Sequence, residues 1–327
     1  MSQSYESDVV IVGAGNAALC AAISAREKGA KVLVLEKGPE HKRGGNSFFT
    51  DGAIRFAFNG LEDIRAIMPE MTDEEAANIY IPPYNTTEYL KDLMRVTGGK
   101  STPELAEQLV TKSYETIAWM KSHGINFQLI YDNQSFEKGG IHHFWGGLPV
   151  KTENKGVGLI QHLNARAKQL GIEIWYESRA YKLCKENNQI VALPVDKEQF
   201  LQTIKKYNDS VQEGSYNPTE KDGKGTKGIT PPKSNWALRI EKGPFYVFPV
   251  TCGITFSFGG VHANSMGEVL DENREAINGL FVAGEMIGGI FYGNYPGGSG
   301  LMSGAVFGKL AGTSAAEYAI RRVTVKK

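Results

Sequence analysis

Gly13-Ala14-Gly15-Asn16-Ala17-Ala18 follows directly on the apolar run Val9-Val10-Ile11-Val12, and Glu36 closes a second apolar run that begins at Ala30. In that spacing each residue type has a task in holding a dinucleotide. Gly13 permits a tight turn off a strand. Gly15 removes a side chain where a pyrophosphate must approach the backbone. Ala18, in the slot of a third glycine, lets helix and strand pack closely. The N-terminus of the helix that follows, at Asn16 and Ala17 by the turn, would offer free N–H groups and a positive dipole end to phosphates. Glu36, with Lys37 beside it, stands where a carboxylate accepts hydrogen bonds from a ribose diol. A lone glycine triplet is a weak signal. One flanked by two strands, a helix of suitable length and a terminal carboxylate is a strong one.

Two more glycine loops extend the pattern. Arg43-Gly44-Gly45-Asn46-Ser47 comes seven residues after Glu36, close enough for its amides and the Ser47 hydroxyl to wrap the same ligand; Gly52 follows shortly. Ala283-Gly284-Glu285, then Pro296-Gly297-Gly298-Ser299-Gly300-Leu301-Met302, opens a final helix and gives a second helix N-terminus. In flavin enzymes such a terminus stabilises negative charge at the pyrimidine end of a reduced isoalloxazine. Any one of these loops alone is equally well an ordinary left-handed turn.

Proton transfer beside such a ligand needs a group within hydrogen-bond reach of the reacting carbon. Tyr295, in the last glycine loop, has the best position. His262 follows Gly259-Gly260-Val261, and Arg55, after Asp51-Gly52, could bind an acidic substrate. His142 and His143 lie in a glycine-aromatic stretch. Each has a structural reading too: a loop tyrosine, a satisfied strand histidine, a surface arginine. Cys20, Cys184 and Cys252 have no neighbouring constellation that would activate them.

The elements that must position these residues read as α/β. A helix is expected from about Ala17 to Lys28, and helical patterning from Thr72 to Gly124, opening on a Thr72/Glu75 capping box. Thr102-Pro103-Glu104 starts a further helix, and another runs from about Leu159 to Leu170. Strands are expected at Ile172–Tyr176, Ala180–Cys184, Phe245–Pro249 and Ile254–Phe258, with a buried one from Leu280 into Gly284. Residues 196–208 read as a helix, the polar 211–233 stretch as an extended surface connection, and 301–321 as the last helix.

Composition narrows the class. The 327 residues carry 36 basic and 36 acidic side chains, so nothing points to nucleic acid or an anionic surface. No apolar run approaches the ~18 residues of a membrane span. An odd cysteine count and a polar, acidic start favour a reducing, cytoplasmic setting.

With these residues in place, the chain resembles the fumarate reductase/succinate dehydrogenase flavoprotein superfamily. The likeness is carried by Gly13–Ala18, Glu36, Arg43–Ser47, Ala283-Gly284-Glu285, Gly298 and Val306-Phe307-Gly308-Lys309-Leu310-Ala311-Gly312. Gly13–Ala22, Arg43–Ser47 and Pro231–Ala237 are similar to its FAD-dependent tricarballylate dehydrogenase group. The resemblance implies a Rossmann-type FAD-binding fold, glutathione reductase-like, with a mixed or parallel central sheet and added helices. It implies hydride exchange between a substrate C–C bond and flavin N5. FAD would be non-covalent, because Asn46-Ser47 stands where covalent relatives carry a histidine.

Three departures matter. Phe256 stands where fumarate reductases have a histidine ahead of Gly259-Gly260, and Tyr295 stands where they clamp substrate with arginine. Tyr295-Pro296-Gly297 looks instead like the loop of 3-ketosteroid dehydrogenases, so carboxylic acid and enone substrates both stay open. The cap domain expected after Ala192 is truncated or absent. This divides the chain into 1–192 (first part of the FAD-binding domain, with a helical insertion at about 60–125), 193–250 (residual cap or linker) and 251–327 (its C-terminal part). The functional expectation is an oxidoreductase acting on a small-molecule substrate with an unidentified electron acceptor, completing its site as a homo-oligomer; the rival is a flavin-binding remnant without turnover.

Overall fold

The computed structural model describes residues 5–186, 189–192, 199–215, 222–230, 232–235, 237–239 and 257–325. The chain divides into two compact units, Met1–Pro194 with Ile254–Lys327, and Val195–Gly253.

In the larger unit β1 (Val9–Val12) runs into Gly13, whose φ of 101° is open to glycine alone at little cost, and α1 (Asn16–Glu27) starts at once. Gly29 ends that helix, and β2 (Val32–Leu35) returns parallel to β1, Val9 opposite Val32 and Val12 opposite Leu35. Next come α2 (Asn46–Phe49), β3 (Ala53–Ile54), α3 (Leu61–Ile67), α4 (Asp73–Ala77), β4 (Ile79–Tyr80), α5 (Thr86–Val96) and α6 (Pro103–Ser122). They are followed by β5 (Phe127–Leu129), α7 (Tyr131–Gln134), β6 (Ser135–Lys138), β7 (Ile141–Phe144), β8 (Val150–Thr152) and α8 (Lys155–Gln169). β9 (Glu173–Trp175) then joins β2 in parallel, giving the order β1-β2-β9. A hairpin of β10 (Cys184–Glu186) and β11 (Gln189–Ala192) follows.

The smaller unit contains α9 (Gln199–Ser210). The larger one resumes with β12 (Glu268–Leu270), β13 (Ala276–Phe281) and α10 (Ser299–Val325). Two further three-stranded sheets, β3-β8-β5 and β4-β7-β6, flank the helices of the first half.

Glycines at every fourth position of α10 bring it against α1. A Cβ on Gly304 would lie 2.8 Å from Asn16 Nδ2, one on Gly308 would meet the Ala17 carbonyl, and one on Gly312 the Ala21 carbonyl. Residues four apart share one face of a helix, so this stripe lets the two backbones approach with no side chain between them. Ser24 Oγ donates to the Lys309 carbonyl at 2.9 Å and pairs with Thr313 Oγ1 at 2.7 Å. Leu19, Cys20, Ile23, Val306 and Phe307 are buried around the contact.

Several expectations need correction. The 72–124 stretch is helical, with α6 starting at Pro103 as expected, but β4 intervenes after α4 stops at Ala77, and Gly98 and Gly99, at φ 62° and 72°, separate α5 from α6. The Thr72/Glu75 box is present, with both reciprocal bonds formed. Thr102 precedes α6 as expected but makes no side-chain cap bond. Strand structure near Cys184 begins only at that residue. Leu280–Glu285 is not a buried strand. β13 ends at Phe281, is half-exposed, and pairs antiparallel with β12. The Asp271 side chain turns that hairpin by accepting from the amides of Asn273 and Glu275. Within the smaller unit, the polar stretch is not simply extended. Val211 pairs with Thr226, and the Ala237 amide donates to the Lys224 carbonyl at 2.7 Å. The strand expected at Phe245–Pro249, together with Cys252, Phe256, Pro231 and Trp236, lies outside the described residues.

Among the described residues no helix is long and apolar enough to cross a membrane, and no group of three or more His, Cys, Asp or Glu side chains could hold a metal.

Candidate functional site

The turn between β1 and α1 is built for close approach. Gly15, the N-cap of α1, has extended backbone and no side-chain cap bond, so the first amides of the helix are left to other acceptors. A Cβ on Gly15 would lie 3.3 Å from the Gly44 carbonyl and 3.6 Å from Ser47 Oγ. The second glycine loop therefore sits directly over the first. Ser47 Oγ accepts from the Asn16 amide at 3.2 Å. α8 presses the second loop into place: a Cβ on Gly44 would lie 2.9 Å from Ile160 Cγ1, and the Gly156 amide donates to the Thr50 carbonyl at 3.0 Å.

Glu36 follows β2 and turns back on the same turn. Its Oε2 accepts from the Ala14 amide at 2.9 Å and its Oε1 from the Gly38 amide at 2.7 Å. Two backbone bonds fix the carboxylate while leaving each oxygen a further lone pair for a diol. Lys37 is exposed, as are Gly45 and Asn46; Ala17 and Ala18 are half-buried.

The N-terminus of α10 meets that of α1. Asn16 Nδ2 donates to the Leu301 carbonyl at 2.8 Å, so the Asn16 side chain is spent on the junction of the two helices. Gly284, at φ 73°, would place a Cβ 2.8 Å from Ala17 Cβ. Gly284–Met286 forms a single tight turn, with Glu285 Oε1 accepting from the Ser257 amide at 2.6 Å. Ser299 and Met302 are buried, and Gly300 and Leu301 half-buried. Gly52, at φ 82°, is buried where a Cβ would lie 2.8 Å from Lys155 Cα.

The structure brings two of the three proton-transfer or substrate candidates to this second helix start. Tyr295 is half-buried, its ring centroid 5.6 Å from Phe291 and 6.4 Å from Phe258. Burial, followed by the nearby Glu285 carboxylate, raises its phenol above the ordinary range. Arg55 reaches the same loop, where two of its five side-chain N–H donors are engaged. Nε donates to the Gly297 carbonyl at 2.8 Å and Nη1 to the Tyr84 hydroxyl at 2.9 Å. His262 belongs to a different set of contacts: it is exposed, and its Nδ1 lies 3.0 Å from Arg274 Nη1 beyond β12. On β7, His142 meets Tyr131 edge-on and His143 stacks on Phe136. Cys20 is fully buried and its thiol is pushed up to about 12 by desolvation, which makes it inert.

Tyr84, Tyr89 and Asp92 were missed from the sequence. Tyr84 sits just before α5 and Tyr89 and Asp92 on it, in no motif; the only local sign is the Asp92–Arg95 spacing of an i,i+3 ion pair. Tyr89 is buried and donates to Ser299 Oγ at 2.9 Å, with its phenol pushed up to about 12 chiefly by burial.

Glycines where a Cβ would collide with the facing loop, uncapped helix amides and a fixed carboxylate fit an extended dinucleotide cofactor. The comparisons name it. The family model described as FAD binding domain matches residues 8–199 and 190–301. A probable fumarate reductase of Shewanella frigidimarina is 26% identical over 234 residues, 72% of this chain and 33% of that protein. The NADH:fumarate oxidoreductase of Klebsiella pneumoniae is 35% identical over 127 residues, 39% of this chain and 12% of that protein. The chain thus spans a third or less of the length of these curated relatives. Among solved structures, the open conformation of a flavocytochrome c3 fumarate reductase is similar in fold, with a TM-score of 0.64 and 19% identity. That match covers 98% of this chain and 79% of the other.

Proposed function

The chain belongs to the FAD-binding-domain family, and from that premise we propose that it is an FAD-dependent oxidoreductase moving hydrogen across a carbon–carbon bond next to a carboxylate or carbonyl. The observation that carries this reading is the junction of α1 and α10. The 2.8 Å bond from Asn16 to Leu301 and the close approach of Gly284 to Ala17 set two helix N-termini within reach of one long ligand. FAD, when bound, supplies two-electron hydride exchange.

The residues of this chain divide the binding between them. Gly13, Gly15, Asn16, Ala17 and Ala18 hold the pyrophosphate, and Glu36 and Lys37 the adenosine ribose. Gly44, Gly45, Asn46, Ser47 and Gly52 close over the middle. Gly284, Glu285, Gly298, Ser299, Gly300, Leu301 and Met302 receive the flavin end, without a covalent link. Residues 1–192 and 251–327 form the FAD-binding domain, and 193–250 a residual cap or linker.

Tyr295 orients the substrate. A neutral phenol donates one hydrogen bond to one oxygen, which suits a carbonyl or one oxygen of a carboxylate. A carboxylic acid of the tricarballylate dehydrogenase type is the first substrate class. An enone of the 3-ketosteroid type is the second, favoured by a phenol in place of a guanidinium, because carboxylates are best recognised by the bidentate fork.

Purified protein should absorb as oxidised flavin and release the chromophore on denaturation. Colourless protein that takes up no added FAD would sink the cofactor assignment. Anaerobic bleaching by candidate saturated acids or ketones, or reoxidation of the reduced protein by unsaturated ones, separates an enzyme from an FAD-binding remnant that turns nothing over.

A further inference from the structure

Arg55, Tyr84 and Asp92 come from three separate segments and close on one turn. Besides its Nε bond to the Gly297 carbonyl, Arg55 donates its backbone N–H to the Gly298 carbonyl at 3.2 Å. Its Nη1 reaches the Tyr84 hydroxyl at 2.9 Å, and that hydroxyl donates to Asp92 Oδ2, also at 2.9 Å. Arg55 Nη1 and Asp92 Oδ2 are 3.6 Å apart. The other Asp92 oxygen accepts from Arg95 Nη2 at 2.9 Å. Tyr89 adds its bond to Ser299 one residue further on.

Packing reinforces the bonds. A Cβ on Gly147 would run into the Tyr84 ring, and one on Gly298 into Leu148, with Arg55 N at 2.8 Å and Ala53 O at 3.2 Å. The Arg55 side chain is only 13% exposed. A cation so far out of water is tolerated when its donors are met, and removing one partner strands it. Its Nε and Nη1 each give a hydrogen bond to the latch, to a carbonyl and to a phenol.

We propose that Arg55, Tyr84 and Asp92 are positioning residues: together they hold the Gly297–Ser299 turn, and through it the first N–H groups of α10, in the arrangement presented to the flavin end of FAD. The clause about FAD rests on the functional reading above; the hold on the turn does not. Helix N–H groups stabilise negative charge only where their direction is fixed, since a wandering turn averages the dipole away. The latch therefore acts on how strongly the site favours the reduced, anionic cofactor over the oxidised one.

The test uses Tyr84→Phe, which keeps the ring against Gly147 and deletes both hydroxyl bonds, and Asp92→Asn, which keeps the shape and deletes the charge. In flavin-free protein, amide hydrogen exchange of the peptide covering residues 297–305 should rise at least tenfold in both variants, while that of β1 and β2 stays as in the parent. In flavin-loaded protein the midpoint potential should fall by about 30 mV, which is a tenfold weaker preference for the reduced form. Parental exchange and parental potential in both variants overturn the proposal. So does faster exchange spread over the whole chain in Asp92→Asn, since that is loss of stability rather than of a local hold. If Tyr84→Phe does not fold, Asp92→Asn decides alone. If the parent binds no FAD, the functional reading falls, and the exchange measurement still judges the latch.

Discussion

A tyrosine suits the flavin end only if it stays neutral while the reaction runs. Tyr295 lies against Phe258 and Phe291, and its desolvation, joined by the Glu285 carboxylate, pushes its phenol above the ordinary tyrosine range. A raised value keeps the proton on as pH climbs, so the hydroxyl is a donor across the neutral range. We expect Tyr295→Phe to cut turnover about a hundredfold, the cost of losing one donor to developing charge, with flavin content unchanged. The parental rate should show no inflection from this group across the neutral range, since the raised phenol loses its proton only at more alkaline pH than a free tyrosine. Unaltered turnover in the variant removes Tyr295 from the chemistry. At this scale Gly13, Gly15, Glu36 and Ser47 were legible in the sequence because their reasons are local: a turn, a close approach, a strand end. Arg55 was legible as a charge but not as a latch. Its partner carbonyl at Gly297 is 242 positions away, and nothing in residue spacing encodes that contact.

At the scale of elements, α1 and α10 form one strut. Gly304, Gly308 and Gly312 bring the second backbone onto the first, and the Ser24 bonds to Lys309 and Thr313 pin the register. Gly308→Ala puts a methyl group on the Ala17 carbonyl and 3.0 Å from Cys20 Cβ. Overpacking of that kind costs about 1–3 kcal/mol. Urea unfolding should record that loss, with weaker FAD uptake because the helix starts are forced apart; a variant of parental stability would show that the helices yield without cost. The final helix and the β1–α1–β2 unit were readable from period and punctuation. The strand that interrupts the helical 72–124 stretch was not. The apolar spacing there suits helices, but Pro82-Pro83 and the left-handed Gly98-Gly99 pair cut the stretch, and β4 finds its partner β7 more than sixty residues on. The β13 misreading has the same origin: the apolar run is plain, but its pairing with β12 depends on a turn set by Asp271.

At the scale of the molecule, the site is assembled from the two far ends of the larger unit. The first glycine turn, the Glu36 carboxylate and the Ser47 loop are complete within the first fifty residues, yet the surface that faces them begins at Gly284 and Ser299. A chain ended after Pro296 lacks α10 and leaves the Ala17–Ala21 face of α1 uncovered. We expect such a chain to retain no FAD after desalting and to expose apolar surface to a reporter dye. Retention of cofactor would mean that the first motif suffices.

The strut of α1 and α10 has a consequence for the order of events during folding. The glycine turn ahead of α1 and the helix start that faces it are separated by some 280 residues of chain. Closing so long a loop is slow compared with forming local helices. A cofactor that touches both helix starts therefore bridges segments that meet late in folding, and acts as the clasp that records their meeting.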